Sequence, residues 1–168
     1  MSATKEAILS SAAEAGVRFV NLQFTDLAGM VKSITVPAAQ LEGVLDQGVW
    51  FDGSSIEGFV RISESDMYLV PDLDTWAIIP WRNDAHTTAR LICNVHTPDG
   101  KVFEGAPRAA LIRALKAACE LGFEYRTGPE LEFFLLGTDE YGRPDVCLRH
   151  DEAGYFDATA DRGAPVRQ

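Results

Sequence analysis

Cysteine is scarce: Cys93, Cys119 and Cys147 are the only three in the chain. An odd number with no C-x-x-C spacing argues against a disulfide framework and against a thiolate zinc site. Basic clusters are missing as well, because 15 Lys and Arg stand against 25 Asp and Glu for a net charge of −10. That balance argues against a nucleic-acid groove. No apolar run approaches the length of a membrane span. The first fifteen residues lack the apolar centre of a signal peptide, and the expected compartment is the reducing cytoplasm. The histidines, His86, His96 and His150, stand apart from one another and read as surface or loop residues rather than catalytic ones.

What is present is ordinary for a globular protein. With 168 residues and 46% hydrophobic content the chain can bury a sizeable core. Thr4 is placed to cap a helix over Lys5–Ala15, which Gly16 stops. Val17–Phe24 alternates, Asp26-Leu27-Ala28-Gly29 is turn material, and Met30–Val36 reads as the returning strand. Pro37 is expected at the first position of a second helix that ends before Gly48.

From Gly48 to Phe59 glycine, serine and aromatics mix without either period, which reads as a structured loop at a cleft or as a plain turn. Met67–Val70 and Trp76–Trp81 read as two short strands, and Ala89–Val95 as a central one. Thr97-Pro98-Asp99-Gly100 is a turn, with Lys101–Phe103 returning. Pro107 opens a third helix with Leu111, Ala114, Leu115, Ala118 and Cys119 as its apolar stripe and Gly122 as its stop. Cys93 and Cys119 read as buried fillers, Arg108 and Arg113 as a solvated face, and the three tryptophans as core or interface anchors. The pattern is α+β, with a domain junction at 104–107 dividing the chain into 1–104 and 105–168.

Phe123–Tyr125 and Gly128-Pro129-Glu130-Leu131-Glu132-Phe133-Phe134 read as further strands. In a strand, residues two apart share a face, so Glu130 and Glu132 would project together, away from Leu131 and Phe133. A carboxylate pair suits hard divalent ions such as Mg²⁺ or Mn²⁺. It equally suits the wet face of an edge strand.

Three stretches occur in order: Phe51-Asp52-Gly53-Ser54-Ser55-Ile56-Glu57-Gly58-Phe59, Glu64-Ser65-Asp66-Met67-Tyr68-Leu69-Val70-Pro71-Asp72, and Gly128 to Phe134. Together they resemble the N-terminal part of a bacterial type I glutamine synthetase, and the resemblance runs over nearly the whole chain. It implies a β-grasp-like domain followed by the opening of the ligase catalytic domain. It also implies ATP-dependent joining of glutamate and ammonia through a γ-glutamyl phosphate, with two Mg²⁺ or Mn²⁺ ions.

By the same resemblance, Glu130 and Glu132 match metal-ligand positions. Asp52 matches the loop aspartate that binds ammonium and takes its proton, and Asp66 a second acidic position near the subunit junction. Ser55 would orient Asp52, and Tyr155 would stand near the glutamate entrance. Family members form their sites between subunits of stacked six-membered rings, a dodecamer, and are well over twice as long. The H-H-E motif and the ATP contacts are not among these residues, so the chain alone is expected to be inactive. Two alternatives stand beside this reading: a non-catalytic assembly module that keeps the fold, and a sister ligase that joins glutamate to another amine.

Overall fold

A computed structural model describes residues 3–56, 66–80, 86–149, 154, 156 and 157. The chain divides into two compact units, 1–125 and 126–168. The first unit is built on a five-stranded sheet. Its strands are β1 (Val17–Thr25), β2 (Val31–Pro37), β3 (Val49–Asp52), β4 (Asp66–Ile78) and β5 (Thr87–His96), in the order β2-β1-β5-β4-β3. β1 runs parallel to β5, and the other neighbours are antiparallel. Helices α1 (Lys5–Glu14), α2 (Leu41–Gln47) and α3 (Pro107–Glu120) complete the unit.

Period-two alternation supplies the core. Val20, Leu22 and Phe24 on β1 share one face with Ala89, Leu91, Cys93 and Val95 on β5 and Met67 and Leu69 on β4. Leu22 lies opposite Leu91 across the parallel pair, and both are fully buried. Ile8 and Ala12 of α1 and Leu41 and Val44 of α2 belong to the same apolar cluster. Thr4 caps α1, its hydroxyl accepting from the Ala7 N–H. The Trp76 indole donates to Ser11 Oγ at 3.0 Å and ties β4 to α1.

Several expectations change. Pro37 ends β2, and a short 3₁₀ turn, Ala38–Gln40, precedes α2. Val49–Asp52 is a strand rather than loop, paired with β4. The two short strands expected around Pro71 are one strand, β4, with an irregularity between Asp72 and Ala77. Trp81 lies outside the described residues. Arg108 is half-buried rather than fully solvated: it forms an ion pair with Asp72, and its Nε donates to Asn94 Oδ1 at 3.0 Å. Arg113 donates to the Glu104 carbonyl. Cys93 is buried as expected, and burial pushes its thiol up to about 12, whereas Cys119 is exposed.

The second unit holds a short hairpin, β6 (Leu136–Thr138) with β7 (Pro144–Arg149), where little regular structure was expected. The strands expected at Phe123–Tyr125 and at 128–135 do not form, and that stretch carries no regular structure. A strand needs a hydrogen-bonding neighbour. Among the described residues this segment pairs with none, and Leu131, Phe133 and Phe134 stand exposed.

Candidate active-site elements

The most ordered part of the candidate site lies at the end of β3. The strand stops at Asp52, and residues 53–55 turn in a single 3₁₀ step that Asp52 caps. Asp52 Oδ1 accepts from the Ser54 N–H at 2.9 Å and from Ser54 Oγ at 2.6 Å. Ser55 Oγ donates to Oδ2 at the longer distance of 3.4 Å. These donors, the Ser54 hydroxyl foremost, stabilise the anion and hold the Asp52 carboxyl below its ordinary value of 3.8.

The sequence pointed to Ser55 as the orienting residue, but Ser54 makes the shorter contacts. Its signal was the Asp-x-Ser spacing, which lets a carboxylate close a turn on the backbone two residues ahead.

Asp66, the first residue of β4, lies directly opposite Asp52 in the β3–β4 register. Directly opposed residues of an antiparallel pair put their Cβ atoms about 4.5–5.5 Å apart, and like charges there repel. Among the described residues no Lys or Arg forms an ion pair with either carboxylate. The ladder thus gathers two anions at one exposed strand end. The neighbouring rungs form an aromatic row, Trp50 against Tyr68 with ring centroids 5.1 Å apart and Tyr68 against His96 at 5.3 Å. His96 is therefore a strand residue with ring partners rather than a loop residue.

Glu130 and Glu132 lie in the other compact unit, in the exposed stretch without regular structure. Their oxygens are the right donors in kind for Mg²⁺ or Mn²⁺. In number they fall short, since no group of three or more potential ligands gathers among the described residues. The ligands of this chain alone do not fit a closed metal site. Tyr155 lies outside the described residues.

Residues 16–98 match the family model of the glutamine synthetase β-grasp domain. A glutamine synthetase of Staphylococcus aureus strain Mu50 is 55% identical over 167 residues, 98% of this chain and 37% of that protein. The chain belongs to the glutamine synthetase family. A Staphylococcus epidermidis glutamine synthetase is 53% identical over 169 residues, 99% of this chain and 38% of its own length. The chain therefore spans little more than a third of these glutamine synthetases and corresponds to their N-terminal portion. Among solved structures, a GmaS/ADP complex superposes with a TM-score of 0.61 at 29% identity, covering 68% of this chain and 26% of its own. A cryo-EM Plasmodium falciparum glutamine synthetase superposes with a TM-score of 0.62 at 19% identity and covers 73% of this chain, a likeness of fold.

The glutamine synthetase β-grasp domain thus contains Asp52, Ser54, Ser55 and Asp66, all on β3, its turn and the first rung of β4. Replacing Ser54 by Ala removes the hydroxyl donor and is expected to raise the Asp52 pKa towards 3.8, as read by NMR titration of its carboxyl carbon. Because the folded value is depressed, any contribution of Asp52 to stability is present above 3.8 and fades as pH falls through the folded value. The Ser54→Ala protein should show a weaker acid-side dependence, because the residue-54 N–H and the Ser55 hydroxyl still donate to the carboxylate. An unchanged titration would mean that Ser54 does not hold the anion.

Proposed function

We propose that this chain supplies part of an ATP-dependent glutamate–ammonia ligase site and does not complete one by itself. In this reading Asp52 attracts ammonium and accepts its proton as ammonia attacks an activated γ-carboxyl group. An anion suits both tasks. The observation that carries the reading is the Asp52 carboxylate, held below its ordinary pKa by Ser54 and opposed by Asp66 on the next strand. Such a group stays charged throughout the neutral range and can draw a cation to the strand end. Ser54 and Ser55 position it, and Asp66 reinforces the negative field. Glu130 and Glu132 would each offer one carboxylate to a separate Mg²⁺ or Mn²⁺ ion, the other ligands coming from outside these residues, and such an ion would supply neutralisation of phosphate charge. Tyr155 borders the entrance for glutamate.

The remaining ligands and the ATP contacts come from outside these residues, and copies of the assembled enzyme share their sites in a ring-forming homo-oligomer. The division at 104/105 between the β-grasp domain and the start of the ligase domain belongs to this reading, as does a cytoplasmic location. No described helix is long and apolar enough to cross a membrane.

Two measurements on the chain test the proposal. With ATP, glutamate, ammonia and Mg²⁺ it should form no glutamine above blank. Mn²⁺ should broaden the backbone NMR signals of residues 130–132 selectively, and a Glu130→Ala/Glu132→Ala variant should lose that broadening. Turnover by the chain alone, or broadening that the double variant keeps, would overturn it.

A further inference from the structure

Strand β4 changes face part-way along. Met67 and Leu69 are buried and Leu73 packs against the same core, so the odd-numbered residues point inward. Beyond the irregularity an even-numbered residue, Trp76, packs there instead. The register explains the switch. Asp72 lies opposite Ile92 and Ala77 opposite Arg90, so residues 73–76 stand opposite Leu91 alone, a surplus of three. An odd surplus exchanges the two faces of a strand. It lets Trp76 anchor α1 through Ser11 while Asp66 keeps the outward face that it shares with Tyr68 and Asp72.

A bulge of this size leaves ladder groups without their usual partners, and side chains supply them. Thr75 Oγ1 accepts from the Ile92 N–H at 2.7 Å and donates to the Asp72 carbonyl at 2.6 Å. The Asp72 carboxylate accepts from the Asp74 N–H at 3.2 Å and forms its ion pair with Arg108, both side chains of the pair being 30% exposed. Arg108 also reaches Asn94 on β5 at 3.0 Å. The planar guanidinium therefore spans both strands at the edge of the bulge. It comes from the first turn of α3, just past the division proposed at 104/105.

We propose that Arg108 is a positioning residue: it clamps β4 to β5 at the bulge and so holds the register in which Asp66 stands opposite Asp52. Register is the vulnerable quantity, because a slip of one residue turns every side chain to the other face. Through this clamp a displacement of α3 bears on the strand that carries Asp66. The consequence for ammonium capture rests on the ligase reading; the clamp itself does not.

Native-state amide hydrogen exchange on the chain with Arg108→Met is the test. Amides of residues 66–70 on β4 and 49–52 on β3 should exchange roughly tenfold faster than in the parent. Those of residues 31–36 on β2, at the far edge of the sheet, should keep the parent's rates. Arg108→Lys should fall between the two, because an ammonium can keep the pair with Asp72 but does not span to Asn94 as well. Thr75→Val removes the hydroxyl that closes the bulge, leaves Arg108 in place, and should open the same amides.

Equal acceleration on β2 would make Arg108 a support of the whole sheet and overturn the proposal. So would unchanged rates on β3 and β4, or a lysine variant that exchanges as fast as the methionine one. The readout involves no turnover, so a failed assembly or glutamine assay would overturn the ligase reading and leave the clamp standing.

Discussion

Gly48→Ala is expected to destabilise the first compact unit by about 3 kcal/mol or more and to lower its Tm by roughly 10 °C. Gly48 follows α2 with φ 69° and ψ −168°, a region open essentially to glycine alone that costs an L-residue about 1–3 kcal/mol. Space is the larger problem. A Cβ at this position would sit 2.3 Å from the backbone oxygen of Leu69, and backbone cannot swing aside as a side-chain tip can. Leu69 lies opposite Val49, the first rung of the β3–β4 ladder whose last rung is Asp52 opposite Asp66. Relief of the clash must therefore shift the strand that carries the candidate carboxylate. Gly16→Ala is the matched comparison, with φ 62° and no atom within 4 Å of its Cβ. It bears the conformational cost alone and should lose only about 1–2 kcal/mol in urea unfolding. Equal losses for the two variants would show that the Leu69 contact is unimportant.

The contrast between these two glycines also shows what a sequence discloses. Both are visible as helix stops, because a stop is a local property of the backbone. So are the Thr4 cap, the hairpin through Asp26–Gly29 and the Pro107 start of α3, where the structure agrees with the residues read alone. The close approach at Gly48 is invisible, since it depends on a strand more than twenty residues away. β3 was obscured for the same reason: four residues bounded by Gly and Asp read as turn, and only pairing with β4 makes them strand. Pro71 misled in the opposite direction. β3 pairs with β4 only as far as Leu69, so among the described residues the strand has no neighbour on that side at Pro71 and a missing N–H can be tolerated there.

At the candidate site, Asp52 and Asp66 were legible through the motifs around them, but their opposition across one rung was not. Glu130 and Glu132 had the composition of a strand without the neighbour that a strand requires. The stripe on α3 was read correctly as apolar, and its expected burial fails because periodicity says which side is apolar and nothing about what covers it.

Asp52→Asn should reduce glutamine formation by roughly 10²–10⁴-fold when the chain is assembled with the remaining glutamine synthetase polypeptide, the range expected for loss of a positioned acid–base group. The amide has nearly the same shape as the carboxylate, and its oxygen can still accept from the Ser54 N–H. Folding and assembly should therefore be unchanged. On the proposed reading, what disappears is a charge that would attract ammonium and a base that would take its proton, so kcat should fall and KM for ammonia should rise. Ser54→Ala should be milder, because it removes one donor to the anion and leaves the anion in place. Since Asp52 already titrates below 3.8, the parent should show no acid limb from this group near neutrality. The pH profile of the Ser54→Ala enzyme should shift only at the acid end. Activity of the Asp52→Asn complex within threefold of the parent would remove Asp52 from the chemistry and leave its role to the turn that it caps.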